Sequence, residues 1–168
     1  MRMQNTDGDL PGAKRKKKRV LQTIGWREWI ALPDLGVGAI KAKVDTGARS
    51  SALHAFDLNL FEQDGARWAQ FEIHPLQHST QCAVQVIAEV VAERSVRSSN
   101  GRREWRPVIC TNVELLGRRW PIEVTLTNRD AMGFRMLLGR QAVRRQFLVH
   151  AGRSFLGGGT PEPATASQ

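Results

Sequence analysis

The apolar residues of this chain recur mostly at every second position, and that period constrains the fold more than any other feature. Val84, Val86, Ala88, Val90 and Ala92 alternate with Gln85, Ile87, Glu89, Val91 and Glu93, and Ile122, Val124 and Leu126 alternate with Glu123, Thr125 and Thr127. A period of two places alternate side chains on one face of a strand. Turn chemistry falls between such runs at Pro33-Asp34-Leu35-Gly36, Asp64-Gly65, Asn100-Gly101 and Gly117, so hairpins are the expected connections. The reading is mainly β, with one helical segment expected over Gln141 to Phe147, where Ala142, Val143 and Phe147 share an apolar face. No internal repeat and no second domain is visible.

The chain's 168 residues suffice for one domain with a core, and 41% hydrophobic content is ordinary for a globular protein. No apolar run approaches the roughly 20 residues of a membrane helix, and no apolar h-region follows the basic start. The expected location is therefore the cytoplasm, with no membrane partner. Cys82 and Cys110 lack metal-type or redox-type spacing and are expected to be small buried residues.

Charge adds a second constraint. The 25 Lys and Arg against 16 Asp and Glu give a net charge of +9, which favours an anionic partner. Lys14 to Arg19 form a basic run in a segment, residues 1–19, expected to be a disordered arm, either a ribosome or nucleic-acid contact or a solvated tail. Residues 157–168, rich in Gly and Pro with no large apolar side chain, are expected to be a disordered tail. Residues 20–156 are then the folded unit.

Within that unit, the alternating run Ala39 to Val44 delivers Asp45-Thr46-Gly47-Ala48. An acidic residue leaving a strand into a tight loop, followed by a hydroxyl and a glycine that admits close backbone approach, is how aspartic proteases present a catalytic carboxylate. The tripeptide alone arises by chance in on the order of a few per cent of chains this long, and Asp, Thr and Gly are also common turn residues. Proteolysis by this chemistry needs two carboxylates sharing one proton. The tripeptide occurs once, so a second chain would have to supply the other half.

Three segments in order carry a resemblance: the Asp45 loop, a polar hairpin around Asn100-Gly101, and Met136-Leu137-Leu138-Gly139-Arg140 leading into a short helix. Together they resemble the retropepsins, single-lobed aspartic proteases. The resemblance sharpens over residues 22 to 150. Lys43 to Ala55, Arg97 to Ile109, and Asn128-Arg129 with Met132 to Arg140 are similar to the bacterial family labelled ATP-dependent zinc proteases, which includes RimB-type peptidases associated with RimK-like glutamate ligases. The resemblance implies a closed β-barrel of the acid-protease type with one short C-terminal helix and one lobe per chain. It implies a homodimeric aspartic endopeptidase that trims glutamate tails ligated to a ribosomal protein, or a related acidic peptide.

By that resemblance Asp45, Thr46 and Gly47 form the catalytic loop, with the Thr46 hydroxyl tying two loops across the dimer axis. Leu138, Gly139 and Arg140 support it. The partner of Arg140 is left open, because the acid that retropepsins carry past the triplet is here Arg49. Arg49, Ser50, Ser51, His54, Arg97, Arg106 and Arg129 are expected to bind substrate, the arginines offering planar donors to carboxylates. Some of those arginines could instead pair with Glu104, Asp130 or other structural acids.

The family's label finds little in the residues. There is no Gly-x-x-x-x-Gly-Lys-Ser/Thr segment for ATP and no His-Glu-x-x-His. Zinc held by His74 and His78 with Cys82 or His54 is the alternative peptidase, but Pro75 argues against the helix that such spacing needs. The expectation is no metal and no cofactor. Two further alternatives are a nucleic-acid-binding β-barrel and a dimer that recognises polyglutamate without cleaving it.

Overall fold

The computed structural model describes residues 20–77, 79–97, 101–127 and 133–158. The expectations for the arm at Lys14 to Arg19, for His78, for Asn100 at the hairpin tip and for Arg129 lie outside the described residues. In chain order the elements are β1 (Gln22–Gly25), β2 (Arg27–Leu32), a 3-10 turn at Pro33–Leu35, β3 (Val37–Asp45), β4 (Ser51–His54), β5 (Phe56–Gln63), β6 (Ala66–Ile73), β7 (Val84–Glu89), β8 (Ala92–Arg97), β9 (Arg103–Leu115), β10 (Arg118–Thr127), β11 (Met136–Gly139), α1 (Arg140–Val143) and β12 (Phe147–His150). The chain is mainly β with one short helix.

The largest sheet runs β10-β4-β11-β3-β2-β9-β8, and β9 also pairs with β10, so the hydrogen-bonded order returns on itself. A three-stranded sheet, β5-β6-β7, and a parallel pair, β1-β12, complete the fold. Ile40, Ala42 and Val44 of β3, Leu53 of β4, Ile109 and Val113 of β9, Val124 and Leu126 of β10 and Leu138 of β11 point into one core. Each such side chain removed from water contributes roughly 1.5–3 kcal/mol for the larger residues. The hairpin turns form where expected: Asp64 and Gly65, and Leu116 and Gly117, all have positive φ, the backbone that matches strand twist in a two-residue turn.

The alternation over 84–93 holds, with the inward set better buried than the outward one, and it spans two strands in different sheets, β7 pairing with β6 and β8 with β9. Two expectations change. The expected helix over Gln141 to Phe147 stops at Val143: Arg145 takes a positive φ, and Phe147 is drawn into parallel pairing with Gln22, while Ala142 and Val143 are buried as the pattern required. Cys82 and Cys110 are exposed rather than buried. Cys82 sits in a turn with φ 60°, and Cys110 lies on the outward phase of β9 between buried Ile109 and Thr111.

A fully buried acid closes the C-terminal end. Glu28 accepts hydrogen bonds from the backbone N–H of Gly25 at 2.6 Å, Leu156 at 2.9 Å and Gly157 at 3.0 Å. The clasp thus holds the chain at Gly157; residues 159–168 of the expected tail lie outside the described residues.

Candidate active site

β3 sets the direction of the candidate carboxylate. Ile40, Ala42 and Val44 face the core, so Lys41, Lys43 and Asp45 share the opposite, half-exposed face. Beyond Asp45 the chain turns back on it. Asp45 Oδ1 accepts from the N–H of Gly47 and of Ala48, each at 3.1 Å, an Asp-initiated turn that fixes the carboxylate's rotation. Among the described residues no hydrogen bond engages Oδ2, which leaves that oxygen for a ligand.

The loop is braced from below. Gly139 of β11 lies in register with Asp45, and its N–H donates to Ser51 Oγ at 3.1 Å. A Cβ at position 139 would stand 2.4 Å from the carbonyl carbon and oxygen of Ser50, so only glycine fits. Arg140 completes the brace: its N–H donates to the Ala48 carbonyl at 2.7 Å and its Nη1 to the Thr46 carbonyl at 3.1 Å. The partner left open for Arg140 is thus the backbone of the loop itself. By contrast, nothing but Asp45 Oδ1, at 3.4 Å, lies near a Cβ built on Gly47.

Asp45 opens into a cleft of about 840 Å³. Its floor is a row across four strands, Lys43, Leu137, Ala52 and Thr125, aligned by strand register. Trp26 and Phe134 form an aromatic wall, packed edge to face at 5.8 Å. Arg49 and Ser50 line it from the loop, and Arg94, Arg97 and Arg106 from the β8–β9 hairpin. Five cations therefore surround one carboxylate. Arg94 is paired with Glu123 and Arg106 with Glu104; Lys43, Arg49 and Arg97 have no ion pair among the described residues. A cleft with unpaired cations over a partly apolar floor suits a chain that carries carboxylates.

The expected substrate residues divide accordingly. Arg49, Ser50, Arg97 and Arg106 line the cleft, although Arg106 is buried and engaged by Glu104 as the structural alternative foresaw. Ser51 does not reach it: buried on β4, it serves Gly139 with its hydroxyl and Thr125 with its carbonyl. His54 does not reach it either. It ends β4 three residues further from the loop, buried, with its ring 4.1 Å from that of Phe56. Alternation along β4 points Ser51 and Leu53 one way and Ala52 the other, so adjacency in sequence to Arg49 does not carry a residue into the cleft. Lys43, Arg94, Trp26 and Phe134 are cleft residues that sequence reasoning missed. Lys43 was readable, two positions before Asp45 on the same strand face.

Of the donors in the zinc alternative, His54, His74 and Cys82 are among the described residues and His78 is not. Phe56 stands between His54 and His74, its ring 3.8 Å from His74 and nearly parallel to it, so the two imidazoles cannot converge on one ion. His74 Nε2 meets Glu72 at 2.9 Å. Among the described residues no group of three His, Cys, Asp or Glu side chains could hold a metal ion.

A family model described as RimB-like, retropepsin-like aspartic endopeptidase RimB, matches residues 23–158. Probable alpha-L-glutamate ligases are also similar: that of Shewanella pealeana is 48% identical over 132 residues, covering 79% of this chain and 29% of the relative. That of Parasynechococcus marenigrum is 50% identical over 126 residues, covering 75% of this chain and 27% of the relative. The chain thus spans less than a third of the curated relatives it matches. A crystal structure of a Legionella pneumophila protein of unknown function superimposes with a TM-score of 0.68 at 27% identity, covering 81% of this chain and 98% of the other.

Proposed function

We propose, from the premise that this chain belongs to the RimB-like family of retropepsin-like aspartic endopeptidases, that it is an aspartic peptidase acting on acidic peptides. The observation that carries the proposal is Asp45, a carboxylate clamped through one oxygen by two backbone N–H groups at the mouth of a cationic cleft. In this reading the returning strand order is the closed barrel of the acid-protease fold. Two chains bring their Asp45 loops together. One Asp45 takes a proton from water as that water attacks the scissile carbonyl, and the protonated partner donates to the carbonyl oxygen.

The loop has features that suit this role. Thr46 and Gly47 are exposed, and the chain's own packing does not demand glycine at 47. A second backbone, from substrate or partner chain, gives the residue its purpose. The Thr46 hydroxyl is then free to reach the facing loop.

Lys43, Arg49 and Arg97 supply the specificity. Their charges favour a substrate rich in carboxylates, which makes a glutamate tail ligated to a ribosomal protein the natural class. The ligase named in the longer relatives belongs, in this reading, to the length this chain does not match. No helix among the described residues is long and apolar enough to cross a membrane. The unpaired, exposed Cys82 and Cys110 fit a reducing compartment such as the cytoplasm.

Incubating the full chain with a peptide ending in several glutamates, without ATP, and following products by mass spectrometry tests the activity. Loss of glutamate residues that persists in chelator is expected; dependence on zinc would overturn the proposal. Sedimentation equilibrium tests the dimer, and a strict monomer with full activity would contradict a shared dyad.

A further inference from the structure

We infer that Asp45, Lys43 and Lys41 form a ladder along β3 that reads an acidic tail at alternate residues, so that recognition extends about four residues from the scissile bond. The inference rests on the peptidase reading and gives its cleft a length and a register. The three side chains share the half-exposed face of one strand. Each step of two residues along a strand advances about 7 Å, placing Lys43 about 7 Å and Lys41 about 14 Å from the carboxylate. An extended peptide laid along β3 has the same repeat, so side chains two and four residues from the cleaved bond meet successive lysines.

The surface beyond the cleft is shaped to receive that continuation. A second hollow of about 370 Å³ is lined by Trp29, Lys41, Gln77, Ser79 and Gln81. Phe134 connects the two: it walls the cleft, and Lys41 Nζ lies 5.5 Å from its ring centroid. That contact is weak and satisfies none of the ammonium's hydrogen-bond donors, so Lys41 is positioned but not neutralised. Arg27, across from Lys43 on β2, is held 4.6 Å over the Trp26 ring and bonded to Ser154 Oγ at 3.1 Å, adding positive potential to the same strip. Neither Lys41 nor Lys43 has an ion pair among the described residues. Two successive lysines without ion-pair partners among the described residues, in line with the reactive carboxylate, offer positive charge to an anionic chain.

The test uses one host peptide ending in two, three, four, five or eight glutamates. Its affinity for the full-length Asp45→Asn protein is read by fluorescence anisotropy at low ionic strength, where such contacts are least screened. Affinity should climb to about five glutamates and then level. Lys41→Gln should shrink the gain between two and five glutamates about three- to tenfold, the size of one solvent-exposed charge contact, and Lys41→Arg should restore it. Lys43→Gln should lose affinity already with three glutamates. An affinity that levels at two glutamates, or a two-to-five gain unchanged by Lys41→Gln, would overturn the ladder. Cleavage of the same peptides by the unsubstituted protein separates the two claims. A length profile with no cleavage sinks the peptidase reading alone, and cleavage with no length profile sinks the ladder alone.

Discussion

Arg140 donates through Nη1 to the carbonyl oxygen of Thr46 at 3.1 Å, tying the first turn of the only helix among the described residues to the loop that carries Asp45. The same residue's backbone N–H holds Ala48. The guanidinium therefore acts on the loop's position rather than on a substrate. Arg140→Ala should lower kcat/KM by about tenfold or more, because small displacements of a reacting group are expensive, while costing about 1 kcal/mol or less of stability at this exposed site. Steady-state kinetics beside urea unfolding separates the two. Equal losses in both would mean that the contact is only structural.

Gly139 and Ser51 support the same loop from within. Gly139→Ala places a methyl 2.4 Å from the Ser50 carbonyl and should destabilise by about 3 kcal/mol or more. Ser51→Ala strands the buried Gly139 N–H and should cost about 1–3 kcal/mol. Denaturant midpoints check both, and a neutral Gly139→Ala would mean the loop is not braced as described.

Glu28 clasps the C-terminal segment through three backbone N–H groups. Glu28→Gln keeps the shape but turns an NH₂ toward a donor, and should destabilise by about 2 kcal/mol or more. Hydrogen exchange at Leu156 and Gly157 should speed together with Gly25. Exchange unchanged at all three would show the clasp to be absent in solution.

Asp34 contributes to acid stability. The Asn112 backbone N–H, then its side-chain amide and Arg119, hold the Asp34 carboxyl below its ordinary pKa of 3.8. A carboxyl whose pKa is lower when folded adds stability that is fully present above its unfolded value and is lost as pH falls through the folded one. Asp34→Asn should therefore flatten stability against pH below about 4 and leave the slope near neutrality unaltered. Thermal melts of both proteins across that range give the comparison. Identical slopes would contradict the contribution.

Period two made the strands legible, and three ordered segments made the Asp45 loop and the Gly139-Arg140 brace legible together. What sequence left out is what register decides. Ser51 and His54 follow Arg49 closely, yet strand alternation and the length of β4 put one beneath the loop and the other beside Phe56. Arg94 and Phe134 enter the cleft only because β8 folds over it and the segment before β11 returns to it, long-range placements with no local signal. The expected helix overruns Val143 because Ala142, Val143 and Phe147 do share burial, but through a helix and a strand in succession.

The most direct test of the account is the rate of glutamate release from a tailed peptide by Asp45→Asn, measured with folding verified and zinc chelated. Release should fall to background, about 1,000-fold or more below the unsubstituted chain, with peptide binding retained. Release at the unsubstituted rate would contradict it.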